Sequence, residues 1–302
     1  MSRIYIKLTL TMIFWGGTFI SGRMLAGHVS PFSAAFLRFV TAAAILLIVL
    51  YRQNRGFPHV PGRLFLPIFC LSITGVFSYN ILFFWGLQSV DASRASVIIA
   101  NNPIFIAVFA SLIFRERLGL IKSLGVPVSV MGAVIAISKG DVAGLLGGAF
   151  GWGDVMIFGC VLSWVAFSLI GKTVIAHISP LAAITYASTV GALLLLFPAI
   201  MDGVFENINS YTFLDWGNIL FLGIFGTALG FVWYYQGIEY IGATRASLFI
   251  NLVPISAIFM AFLLLGEPIT VSLLVGTVLV LSGVYLTNYG LVHFYKLTGA
   301  LR

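Results

Sequence analysis

Residues 86–105 read GLQSVDASRASVIIANNPIF, and residues 237–256 read GIEYIGATRASLFINLVPIS. Eight of the 20 aligned positions are identical: Gly86/Gly237, Ala92/Ala243, Arg94/Arg245, Ala95/Ala246, Ser96/Ser247, Ile99/Ile250, Pro103/Pro254 and Ile104/Ile255. In each copy a hydrophobic run ends at a glycine and a short polar turn carries one arginine. Small residues then open a new run, and a proline interrupts it. Self-similarity at a fixed offset marks a repeated structural unit, so it governs how every other segment is read.

The repeat extends outward from this stretch. Trp15/Trp164, Gly22/Gly171, His28/His177 and Ser30-Pro31/Ser179-Pro180 align at an offset of 149. Gly75/Gly226, Glu116/Glu267, Gly125/Gly276 and Gly132/Gly283 align at 151. The two extra residues fall in the acidic segment 202–215, which holds Asp202, Glu206 and Asp215 and no Lys or Arg.

The composition excludes a water-soluble fold. Of the 302 residues, 60% are hydrophobic and 8% charged, against about a quarter charged in soluble domains. Several apolar runs approach the ~20 residues that span a bilayer core. The net charge of +7 comes from short basic clusters between apolar runs, the pattern of membrane topology rather than of a nucleic-acid-binding stripe. Cys70 and Cys160 both fall in apolar runs and read as small buried hydrophobes, with neither disulfide nor zinc spacing. The first apolar run has a basic start like a signal peptide but continues to about Leu25 without a small-residue cleavage site, so it reads as a first membrane helix.

Apolar runs bounded by Gly, Pro and charge predict ten helices, at 4–25, 31–51, 64–86, 92–114, 120–137, 152–172, 180–201, 216–236, 243–265 and 270–292. With the N-terminus inside, 12 Lys and Arg fall on the cytoplasmic side and three (Arg23, Arg94 and Lys139) outside, which orients both termini to the cytoplasm. Two repeats of five helices follow, at 1–140 and 152–302, joined by a Gly-rich linker at 141–151. Five is odd, so equivalent helices cross the membrane in opposite directions. Transporters use such inverted repeats, with substrate bound between the halves near the midplane.

Two five-helix repeats, a Trp in the first helix of each, and the Gly…Ala-Ser/Thr-Arg-Ala-Ser…Pro…Glu pattern resemble EamA-type members of the drug/metabolite transporter superfamily. The resemblance covers nearly the whole chain. It implies a multi-pass protein of the bacterial inner membrane that exports amino acids or other small metabolites. The aromatic-rich character is most similar to the amino-acid exporters, those for aromatic amino acids included. Small multidrug-resistance relatives carry a Glu in their first helix for proton coupling. The first helix here has none, which makes facilitated diffusion or exchange the expectation.

Candidate substrate-binding residues follow from position and chemistry. Trp15 and Trp164 are repeat-equivalent and mid-span; Tyr79, Phe83 and Tyr234 lie near small residues and supply aromatic walls. Asn101, Asn102 and Asn251 precede the two prolines and offer both donors and acceptors to a zwitterion, or glue between helices. Pro103 and Pro254 each remove a backbone donor in mid-membrane and are candidate hinges. Glu116 and Glu267 close the fourth and ninth helices and are candidate caps or gate contacts. Arg38 is the one full charge well inside a span. It either snorkels to the outer interface or binds a carboxylate, the second alternative implying anionic metabolites or drugs as substrates.

The remaining patterns carry little. Gly151-Trp152-Gly153-Asp154 has the GxGD form of intramembrane aspartyl proteases, but no second Asp sits in another span to share its proton. The glycines of 144–153 are not followed by Gly-Lys-Ser/Thr, and HExxH and GxSxG are missing. No enzyme activity, cofactor, metal or nucleic acid is therefore expected. The expected partners are a small-molecule substrate and membrane lipid, and a monomer is compatible with this plan.

Overall fold

A computed structural model describes residues 2–114, 120–139, 151–241, 246 and 249–297. Glu116, residues 141–150 of the linker, and residues 242–245 and 247–248 of the second repeat copy lie outside the described residues. Those described are helical with short turns between. The helices are α1 (Ser2–Leu25), α2 (Pro31–Asn54), α3 (Gly62–Leu87), α4 (Ala92–Ile99 and Asn102–Phe114), α5 (Leu120–Ile137), α6 (Trp152–Val174), α7 (Pro180–Met201), α8 (Phe213–Ile241), α9 (Phe249–Leu265) and α10 (Val271–Leu297). Among the described residues, seven helices are long and apolar enough to cross a membrane, and three shorter apolar helices accompany them. Large apolar side chains cover the outside, with Leu66 and Phe197 each 70% exposed. Such a surface suits hydrocarbon, where helices satisfy their own backbone groups. The chain is an all-α polytopic membrane protein.

Local chemistry sets the helix ends. Ser30 and Ser179, equivalent in the repeat, cap α2 and α7 in the same way. Each hydroxyl accepts a backbone N–H three residues on (Ser33, 3.2 Å; Ala182, 3.3 Å), and the following proline sits in the first turn. α8 starts before the predicted 216 because Thr212 and Asp215 form a reciprocal cap: Thr212 N–H donates to Asp215 Oδ2 at 2.9 Å and Asp215 N–H to Thr212 Oγ1 at 3.2 Å.

Three helices contain π segments, with the wider i→i+5 winding. The segments in α3 (Ser72–Ser78) and α8 (Leu222–Leu229) occupy equivalent repeat positions, and a third closes α9 (Ala261–Leu265). α4 is broken at Ala100–Asn101, so Pro103 falls in the first turn of its second piece, where no N–H is needed. α9 likewise changes from a 3-10 turn (Phe249–Asn251) to α-helix (Leu252–Met260) just before Pro254.

The core runs through the middle of the bundle around Met12, Phe19, Phe83, Leu87, Ile157 and Ala257. α5 and α10 pack separately, backbone against backbone. A Cβ at Gly132 would meet the Gly276 carbonyl oxygen at 2.6 Å, and one at Gly283 would meet the Gly125 carbonyl oxygen at 2.6 Å. Gly125 is equivalent to Gly276, and Gly132 to Gly283. Exchanging each residue for its equivalent therefore turns one contact into the other.

Candidate functional site

A cavity of about 630 Å³ lies at the centre of the bundle, within the range of small-molecule sites. Seven repeat-equivalent pairs stand in its walls: Trp15/Trp164, Thr18/Phe167, Phe19/Ser168, Phe83/Tyr234, Ile99/Ile250, Asn102/Val253 and Pro103/Pro254 all line it. Two aromatic groups face into it. On one side Trp15 lies 5.2 Å from Tyr234 and 5.8 Å from Phe231, centroid to centroid. On the other, Tyr79 lies 5.5 Å from Trp164 and 6.0 Å from Phe83, and Trp164 lies 5.1 Å from Phe167.

The π segments present this wall. In α8 the wider winding leaves the Gly226 carbonyl for the Trp15 indole N–H, which donates to it at 3.1 Å. In α3 the equivalent Gly75 carbonyl accepts instead from Asn80 Nδ2 at 3.4 Å, alongside Val76 O at 2.8 Å. The Trp164 indole makes no hydrogen bond with a described residue.

Arg38 joins the α8 π segment to the turn of α3 just after its own π segment. Its Nε donates to Thr227 Oγ1 and its Nη1 to Asn80 Oδ1, both at 2.9 Å. Arg38 is 8% exposed and lines the cavity. The expected snorkel to the interface is thus overturned: two neutral oxygens hold the side chain inward. Among the described lining residues the charged ones are Arg38 and Lys172, and no carboxylate is present.

Eight predicted residues meet in this cavity: Trp15, Tyr79, Phe83, Asn102, Trp164, Tyr234, Pro103 and Pro254. Asn101 does not line it. Asn101 accepts from Ser129 Oγ of α5 at 2.7 Å and donates to Val97 O and Ile98 O, which makes it a joint between helices. Asn251 lies instead on a separate groove with Ser282 and Tyr285 of α10. Sequence reasoning missed Phe167 and Phe231, and also Asn80 and Thr227. Phe167 is the repeat equivalent of Thr18, and Thr227 follows the repeated glycine of α8, so the repeat itself held those two signals.

Polar contacts tie helices together at one end of the bundle. Glu267, in the turn after α9, accepts from the Ala92 and Ser93 N–H groups of α4 at 2.7 and 3.0 Å and from the Ser93 hydroxyl. Arg94 pairs with Asp154 of α6 at 2.7 Å, and Arg23 donates to the Leu87 carbonyl at the end of α3. Asp154, the acid of the GxGD pattern, is thus engaged in a pair and also accepts the Gly151 N–H at 2.9 Å. Toward the opposite end the lining reaches Lys172 and Ile175, both exposed. No cluster of three His, Cys, Asp or Glu able to hold a metal exists among the described residues.

Comparison with known proteins agrees with this architecture. A solved crystal structure, described as "Crystal structure of protein", shares the fold with a TM-score of 0.66 at 18% identity, over 95% of this chain and 97% of that one. An uncharacterized transporter of Bacillus subtilis (strain 168), YyaM, is 31% identical over 97% of this chain and 95% of its own length. An uncharacterized transporter of Archaeoglobus fulgidus is 28% identical, covering 93% of this chain and 97% of its own. The model of the EamA-like transporter family matches twice, at residues 2–138 and 151–289. The chain is a membrane transporter protein that belongs to the EamA-like transporter family.

Proposed function

We propose that this chain is a secondary transporter that exports amino acids, aromatic or hydrophobic ones and related small metabolites, across the bacterial inner membrane. It works by alternating access between two inverted five-helix halves, 1–140 and 152–302, joined through 141–151. The observation that carries the reading is the central cavity, walled by repeat-equivalent residues, adjoining polar ties at one end and reaching the surface at the other. The two family matches and the exchange-symmetric glycine contacts of α5 and α10 support the inversion. The bias of Lys and Arg supports ten spans with both termini cytoplasmic. In that orientation the tied end is the outer one and the described conformation faces inward.

In this reading Trp15, Tyr79, Phe83, Trp164 and Tyr234 enclose the substrate body, and Asn102 contacts its polar end. Pro103 and Pro254 are the hinges and Glu267 is a gate contact. No acid lines the described cavity, which supports uncoupled flux or exchange over proton coupling. The second reading, transport of anionic metabolites, draws its support from the inward-held Arg38.

The test is flux. Purified protein in liposomes equilibrates labelled phenylalanine, tyrosine, tryptophan and leucine faster than empty vesicles, with or without an imposed pH gradient. Absence of flux across the panel overturns the amino-acid reading. Accumulation driven by the gradient overturns uncoupled transport.

A further inference from the structure

Arg38 is a full charge in the centre of a membrane bundle, and both its partners are neutral. Asn80 and Thr227 are themselves fixed. The Asn80 amide donates to Val76 O at 2.8 Å, and the Thr227 hydroxyl donates to Leu222 O at 2.9 Å. Each therefore turns an oxygen toward the guanidinium and cannot turn it away without losing its own bond. The Arg94–Asp154 ion pair belongs to the tied end.

The guanidinium has five N–H groups, and Nε and Nη1 supply the two bonds it makes with described residues. Nη2 remains, on a residue that lines the cavity. A buried charge left without a counter-ion is costly, and intramembrane ionisable groups are retained where function needs them. Guanidinium is also the group whose geometry matches a carboxylate.

A second observation stands in the same cavity. The Asn102 Oδ1 is buried with no hydrogen-bond partner, and Asn102 is 9% exposed on the cavity wall. The site thus offers an unspent donor on a cation beside aromatic walls, with an unpaired amide oxygen buried behind the wall.

We propose that Arg38, held in place by Asn80 and Thr227, anchors the carboxylate of the substrate, and that the cavity selects monocarboxylates with an apolar or aromatic body. This inference rests on reading the central cavity as the substrate site, but not on amino acids being the cargo.

Binding tests it without requiring flux. The full chain in detergent is titrated with 3-phenylpropionate and with its neutral amide, read by the fluorescence of the wall tryptophans. The carboxylate binds about tenfold or more tightly than the amide, as a charge-assisted contact requires. Arg38→Gln brings the two together by weakening the carboxylate alone, and Arg38→Lys retains part of the preference. Equal affinities in the unaltered protein overturn the proposal, and so does a preference that survives in Arg38→Gln. If Arg38→Gln fails to fold, the unaltered protein and Arg38→Lys still decide. A carboxylate preference without amino-acid flux removes the cargo assignment and keeps the anchor; flux without that preference does the reverse.

Discussion

Trp15 and Trp164 are equivalent in sequence, yet only Trp15 spends its indole N–H on the protein, at the Gly226 carbonyl. The Gly75 carbonyl, equivalent to that of Gly226, accepts from Asn80 instead. The two residues therefore respond differently to the same change. Trp15→Phe loses a hydrogen bond to the α8 π segment and lowers stability by about 1 kcal/mol. Trp164→Phe leaves the melting temperature close to that of the unaltered protein but raises the half-saturating substrate concentration about threefold, the loss of a cavity donor. Thermal melts and flux titrations on both variants check this, and equal stability losses contradict it. Neighbouring residues diverge in the same way. Asn101 and Asn102 are indistinguishable as two amides before a proline. The break at Ala100–Asn101 sends Asn101 to Ser129 of α5 and leaves Asn102 on the cavity. That division was not legible in the sequence because it depends on the turn between two helical pieces. Arg38 was legible as an anomaly. Its fate was not, because its partners lie 42 and 189 residues away.

At the scale of elements, the sequence carried the helices well because their ends are chemical: Ser-Pro caps, a Thr-Asp box and glycines. The predicted 120–137 and 180–201 coincide with α5 and α7. The π segments stayed hidden, since apolar residues on every face erase the periodicity that would betray a change in winding. Repeated Gly75 and Gly226 mark both segments in retrospect. Glycine also governs the α5–α10 contact, where the repeat had flagged all four positions. Gly132→Ala places a methyl against the Gly276 carbonyl oxygen, a backbone atom that cannot swing aside, and such overpacking costs about 1–3 kcal/mol. Gly217→Ala, where a Cβ would meet nothing within 4 Å, gains up to about 1 kcal/mol of helix propensity instead. Opposite shifts in melting temperature in detergent are the expected result. A neutral Gly132→Ala would mean that the two helices separate easily.

At the scale of the molecule, a cavity with seven repeat-equivalent pairs in its wall adjoins a set of polar ties at one end. The glycine contacts of α5 with α10 map onto themselves when the halves are exchanged, and Glu267, Arg94 and Arg23 join helices at one end. Alternating access requires such ties to be reversible, so the Glu267 contact is the place to bias the equilibrium. Gly266 adopts the left-handed conformation (φ 68°) that swings the chain out of α9 and brings the next residue back over α4. The Glu267 carboxylate then meets two backbone N–H groups and the Ser93 hydroxyl. Glu267→Gln keeps the shape but removes the charge and one acceptor. Charge-assisted hydrogen bonds are worth about 1.5–3 kcal/mol, so the balance moves about tenfold or more toward states open at this end. Spin labels at Gln88 and Ile269, both exposed beside the contact, read the separation directly once Cys70 and Cys160 are replaced. The unaltered protein gives a short distance, and Glu267→Gln adds a longer population, as does Ser93→Ala more weakly. If the distance distribution is unchanged in both variants, Glu267 caps α4 without holding the gate, and closure at this end rests on the Arg94–Asp154 pair.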